Sequence, residues 1–183
     1  MATTRERALD AAIRLAGSQG IHSMTHARVD AAAGLPKGST SNYFRTRNAL
    51  LAGVIDRIAE GERQDLAPAV AGLSMTVDDF IDVYTGVVTA LTGPYADRTR
   101  ARYALFLELS SDAELQAPLR AQRAAFAELA RAFLAGLGAE HPDAAVQAFM
   151  AFSDGLILHR LTVDPEAAVR GSVAIAVRGC LEA

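Results

Sequence analysis

The chain is poor in the residues that build special chemistry. Among 183 residues there is one cysteine, Cys180, and no tryptophan, so no internal disulfide can form. Cys180 ends an apolar stripe and reads as a small packing residue. Four histidines, His22, His26, His141 and His159, lack the spacing of zinc ligands, which leaves no metal and no cofactor to expect. No run approaches the roughly 18 apolar residues of a spanning helix. The opening Thr3-Thr4-Arg5-Glu6-Arg7 is not a basic stretch leading into an apolar core, so the expectation is a cytoplasmic protein without a membrane partner. A phosphate-binding loop is missing as well: Gly34 to Thr40 holds two glycines and a lysine, but follows a helix and has no lysine after the second glycine. Asp154 and His159 do not share a helical face well, and no serine or cysteine can be set beside them from sequence, so an enzyme is not expected.

What is present is a well-filled, uneven chain. Hydrophobic residues make up 51% and charged residues 21%, enough to bury a core that offsets chain entropy. Residues 1–47 carry seven basic groups (Arg5, Arg7, Arg14, Arg28, Lys37, Arg45, Arg47) and three acids (Glu6, Asp10, Asp30), a charge of +4, which leaves −7 for the remainder of a chain whose net charge is −3. A basic N-terminal quarter on an acidic body suits a reader of nucleic acid joined to a separate domain.

Apolar residues recur at three- and four-residue spacing almost throughout, with no sustained alternation, and predict an all-α fold of about nine helices. Thr3 and Glu6 form a capping box for a first helix carrying Leu9, Ala12, Ile13 and Ala16, which stops within Gly17 to Gly20. Thr25 opens a second helix, with Met24 and Val29 as a hydrophobic staple, ending at Ala33–Gly34. A short third helix is expected from Pro36 to about Phe44. A fourth runs from Arg47 and stops before Pro68, a fifth is opened by Asp78 and Asp79, and a sixth spans about Tyr95 to Leu109. A seventh is capped by Ser111 and Glu114, and the last two start at Pro142 and Pro165.

The most informative window is Gly20 to Leu51. Ala33-Gly34-Leu35 is the small turn of a helix-turn-helix, where glycine supplies the positive φ between two closely packed helices. Lys37, the only lysine among 18 basic side chains, lies at the start of the third helix, where it can reach base edges or neighbouring phosphates. Gly20-Ile21, Thr25, Val29, Ala33-Gly34-Leu35, Lys37-Gly38-Ser39, Tyr43-Phe44 and Arg47 to Leu51 together resemble the DNA-binding signature of bacterial transcriptional regulators of the TetR (tetracycline repressor) family. The resemblance implies a three-helix DNA-binding domain over 1–46 and a helical effector-binding and dimerisation domain over 47–183. It implies base reading by Lys37, Gly38, Ser39 and Ser41, and backbone contacts by Thr25, Asn42, Tyr43 and Arg47. Arg28, permanently charged, is favoured over His26 as a further contact; Tyr43 either meets phosphate or packs on the first helix. The sequence departs from the family at Pro36, where a capping serine or threonine is usual, at Thr40, usually apolar, and at Ser41, usually tyrosine.

The implied function is a ligand-responsive regulator, a repressor, that binds a palindromic double-stranded operator as a homodimer and is released by a small-molecule effector. An effector-independent architectural DNA binder is the alternative. Candidate walls of the effector pocket are Phe80, Tyr84, Tyr103, Phe106, Phe126, Phe149 and Phe152, with Glu108 as a polar group inside it; with few permanent charges inside, a largely apolar, uncharged or cationic effector is expected. The helix from Pro142 is apolar on more than one face and the last helix adds a valine stripe, so a seam between two copies is expected through Asp154, Gly155, Leu158, His159, Val169, Val173 and Val177.

Overall fold

A computed structural model describes residues 2–70 and 76–182, the side chains of 66–70 excepted. Among the described residues there are nine α-helices and no strand: α1 (Thr4–Gln19), α2 (His26–Ala33), α3 (Ser39–Tyr43), α4 (Arg47–Val70), α5 (Val77–Thr92), α6 (Ala96–Glu108), α7 (Ala113–Gly136), α8 (Pro142–Thr162) and α9 (Val169–Leu181), with a 3-10 turn at Ile21–Ser23. The chain folds into two compact units, one of residues 1–65 and 96–121, the other of 66–95 and 122–183.

The first unit is built around α1. Its capping box is formed, with the Thr3 hydroxyl accepting from the Glu6 N–H and the Glu6 carboxylate accepting from the Thr3 N–H at 2.7 Å. Leu9, Ala12, Ile13 and Ala16 pack with Leu50, Val54, Ile55 and Ile58 of α4, Ala101 and Leu105 of α6, and Leu115 and Leu119 of α7. Each fully buried leucine or isoleucine contributes about 1.5–3 kcal/mol relative to exposure. α1 ends at Gln19 with Gly20 as its C-cap, within the expected Gly17 to Gly20. Gly17 serves another purpose: a Cβ there would collide with the Asp97 carbonyl group, so only glycine lets α6 come this close. α4 and α6 are also joined by charge. Arg102 donates to the buried Glu62 at 2.8 Å, and Arg98 pairs with Asp65.

The second unit packs α9 against α5 and α8. Val173 and Val177 are fully buried and Val169 nearly so, while Arg170 and Arg178 reach Asp82 and Asp78 of α5 at 2.7 and 3.0 Å. The valine stripe expected at a seam between copies is therefore spent inside the chain. The residue on the opposite face is Ile175, 77% exposed. Cys180 is buried, and burial pushes its thiol pKa up.

Several boundaries differ from expectation for local reasons. α4 runs through Pro68 to Val70. α5, by contrast, carries Asp78 and Asp79 in its first turn as expected, with Thr76 as N-cap in a capping box with Asp79. α7 is capped by Asp112, whose carboxylate accepts from the Leu115 N–H at 3.1 Å, and not by Ser111. α9 begins at Val169 and not at Pro165, because the Asp164 carboxylate accepts from the Glu166 N–H at 3.0 Å and folds that stretch into a turn.

Candidate nucleic-acid interface

The interface grows out of the α2–α3 pair. Thr25 caps α2 and its hydroxyl accepts from the Arg28 N–H; Met24 and Val29, the staple around that cap, are both buried. α2 ends at Gly34, whose φ of 61° is left-handed and suits glycine. The Gly34 N–H donates to carbonyls of α2, and the Leu35 N–H donates to the Asp30 carbonyl at 2.9 Å. Arg7 closes the same turn from α1, donating to the Ala33 and Gly34 carbonyls at 2.8 and 3.2 Å. The orphan carbonyls at the end of α2 give Arg7 its use.

α3 is shorter than expected, five residues from Ser39 to Tyr43. Pro36 does not begin it. Its carbonyl accepts from the Ser39 N–H at 3.1 Å in a turn, and Gly38 stands as N-cap with φ 91° and no side-chain cap of its own. The missing cap comes from α2. Asp30, 3% exposed, accepts from the Gly38 N–H at 2.7 Å through one carboxylate oxygen, and from the Thr40 N–H at 2.8 Å and the Thr40 hydroxyl at 2.5 Å through the other. Burial pushes the Asp30 carboxyl up, but the Thr40 and Gly38 bonds, with nearby His26, outweigh it and hold the pKa below the ordinary aspartate value. Thr40, fully buried, thus occupies a position where the family usually has an apolar side chain by satisfying its hydroxyl on Asp30.

The other end of α3 is held by Phe44, 4% exposed, beneath the Arg5 guanidinium at 5.4 Å from the ring centroid, while His26 Nε2 lies 2.6 Å from the Phe44 carbonyl oxygen. His26 is thereby engaged inside the unit. With both ends fixed, Lys37, Ser41, Asn42 and Tyr43 are exposed and Gly38 and Ser39 half-buried. Tyr43 is 51% exposed. Arg28 is exposed and hydrogen-bonded to Gln19; Arg47 is exposed, with one N–H donor nitrogen 3.5 Å from the Ile21 carbonyl oxygen. The side chains that can meet phosphates or base edges therefore lie on one short stretch of chain over a buried carboxylate.

The residues expected around an effector pocket divide between the two units. In the second, Phe80, Tyr84 and Phe149 form a cluster with Phe133, whose ring lies 5.6 Å from Phe80; Tyr84 and Phe149 are 4.7 Å apart between centroids. Phe133 is not in the sequence-derived set, although it shares the helical spacing of Phe126. Phe126 and Phe152 are half-buried in the same unit. Tyr103, Phe106 and Glu108 belong to the first unit. Tyr103 stacks beside Arg102, and Phe106 packs on the first core. Glu108, at the exposed end of α6, faces His22 at 3.4 Å, so it is not the buried polar group expected of a pocket. Asp154 forms a two-pronged pair with Arg123 within its own unit, one arm 2.8 Å long. On α8, Gly155, Leu158 and His159 are exposed. Among the described residues no cluster of histidine, cysteine, aspartate and glutamate is arranged to hold a metal ion.

Residues 8–54 match the family described as bacterial regulatory proteins, tetR family, and residues 75–183 match the tetracyclin repressor-like C-terminal domain. No curated protein matches the chain in sequence. Among solved structures, a TetR-family transcriptional regulator from Streptomyces coelicolor superposes with a TM-score of 0.83 at 22% identity, covering 98% of this chain and 94% of that one. A transcriptional regulator from Rhodococcus sp. Rha1 gives 0.81 at 17% identity, covering 98% and 97%. The multidrug binding protein EbrR, complexed with ethidium, gives 0.66 at 26% identity and covers 96% of both chains. No described helix is long and apolar enough to cross a membrane.

Proposed function

Given that the chain belongs to the TetR family of transcriptional regulators, which are DNA-binding proteins and not enzymes, we propose that it is a repressor released by a small molecule. Residues 1–46 are the reading domain and 47–183 the effector-binding and dimerisation domain. In this reading a homodimer grips a palindromic operator, its half-sites about one helical turn or a small multiple apart. Lys37, Gly38, Ser39 and Ser41 face base edges, and Thr25, Arg28, Asn42, Tyr43 and Arg47 face phosphates. The observation that carries the reading is the outward display of Lys37, Ser41, Asn42 and Tyr43, on and just before a short helix whose inner side is fixed.

The two copies meet through the outer faces of α8 and α9. Gly155, Gly171 and Gly179 have no neighbour within 4 Å of an added Cβ, and Ile175 and Leu158 are exposed at 77% and 39%. Small residues let helices approach closely while the two apolar side chains fill the seam. The effector enters the aromatic region of Phe80, Tyr84, Phe133 and Phe149. The aromatic faces and edges gathered there suit a flat, largely apolar molecule, uncharged or cationic. That EbrR is found with ethidium, proflavin and malachite green supports this class.

The test is a gel shift at fixed salt on DNA upstream of the protein's own coding sequence, with random DNA of equal length as competitor, repeated with flat aromatic cations added. Competitor-resistant binding that such molecules abolish is the expected result. Tight binding indifferent to every small molecule would favour an architectural role, and equal weak binding to both DNAs would count against sequence reading at that site.

A further inference from the structure

We propose that Asp30 is the positioning residue for DNA reading: its buried carboxylate, itself out of reach of DNA, sets the direction in which α3 and the turn before it present Lys37, Ser39, Ser41 and Asn42. The inference rests on the reading of α3 as the recognition helix.

A five-residue helix cannot hold itself together, since nucleation fixes several dihedrals for a single hydrogen bond. Its position must come from outside. The usual local device is absent: Pro36 has no capping side chain, and Gly38 at the N-cap offers none. Asp30 fills that place from the neighbouring helix, taking the Gly38 N–H on one oxygen and the Thr40 N–H and hydroxyl on the other. Three donors on one carboxylate define a direction as well as a distance, which an apolar contact between positions 30 and 40 would not. The same residue also fixes the other side of the turn, because its backbone carbonyl accepts from the Leu35 N–H at 2.9 Å. The end of α2, the turn and the start of α3 are therefore referred to one residue.

The charge has a second consequence. A carboxylate beside the first N–H groups of α3 matches the positive end of the helix, and at 3% exposure it lies beneath the surface that phosphates approach. Asp30 therefore serves through backbone geometry and makes no contact with the nucleic acid.

The experiment compares wild type with D30N and T40V, after the preferred DNA of the wild type has been selected from a random oligonucleotide pool. D30N keeps the shape of the side chain but turns an NH2 group toward one set of donors; T40V removes only the hydroxyl. In D30N, amide hydrogen exchange at Gly38 and Thr40 should quicken roughly tenfold or more, with exchange in α1 and α4 unchanged. The ratio of selected to random DNA affinity should fall by on the order of tenfold while random-DNA affinity and its salt slope stay constant. T40V should give the same pattern, weaker, and carries the test should D30N fail to fold. Unchanged exchange at Gly38 and Thr40 would overturn the inference, as would faster exchange with an unchanged affinity ratio. A wild type that selects no sequence at all would overturn it through the reading beneath it, and is recognised by failing before any variant is compared.

Discussion

At the scale of single residues, the interface joins exposed groups to buried ones that aim them. Lys37 is exposed, and none of the α3 side chains that follow it is charged. If it reads a base edge, Lys37→Ala should weaken binding to the operator by roughly tenfold or more and leave random-DNA binding nearly intact; equal losses on both would place it on phosphate. Competition gel shifts at fixed salt decide between these. Asp30 gives a pH signature. Its pKa falls on folding, so its contribution to stability is fully present above the pKa of the unfolded carboxyl and is lost as pH drops through the folded value. The stability gap between wild type and Asp30→Asn should stay constant from neutral pH down to the ordinary aspartate range and narrow below it, as read by urea unfolding at a series of pH values. A gap insensitive to pH would mean that the ionised form is not what the fold selects.

Among elements, α1 and α6 approach closely at Gly17, whose absent Cβ leaves room for the Asp97 carbonyl. A backbone atom cannot swing aside as a side-chain end can. Gly17→Ala should therefore cost about 1–3 kcal/mol by overpacking, despite the higher helix propensity of alanine, which taken alone would stabilise α1 by up to about 1 kcal/mol. Denaturant unfolding gives the sign directly: a stabilised variant would show that α6 can retreat without loss. Gly17 illustrates what a sequence conceals. The sequence places the end of α1 within Gly17 to Gly20; Gly20 is the cap, α1 passes through Gly17, and only the neighbouring helix explains that glycine.

On the scale of the whole molecule, the proposed function depends on two copies. The outer face of α8 and α9 carries Ile175 and Leu158 among small residues. Ile175→Asp should convert a dimer to a chain of half the mass in sedimentation equilibrium with helix content unchanged, because Ile175 takes no part in the buried packing of its own chain. Operator affinity should fall by on the order of a hundredfold, since a second half-site no longer binds as part of the same assembly. A variant that stays dimeric would place the seam elsewhere.

Local signals place most of the elements: the apolar period, the caps at Thr3 and Thr25 and the turn glycine Gly34 are obeyed by the local geometry, while the starts of α3, α7 and α9 and the end of α4 depart from the pattern. The sequence by itself also determined which short stretch carries the DNA-binding signature, because that pattern is contiguous. Partnership was decided only by tertiary structure. In the sequence Asp30 and Arg7 count only as charges; that Asp30 lies under α3 and that Arg7 meets the end of α2 follows from the packing. Asp154 reads as a seam residue until Arg123 of its own unit reaches it, and Glu108 as a polar group inside a pocket until α6 leaves it opposite His22. The valines of α9 read as surplus until α5 and α8 cover them. Periodicity tells which face of a helix is apolar, but the neighbour that covers that face, and the donor that satisfies a buried carboxylate, come from segments distant in the chain and are fixed only when those segments pack.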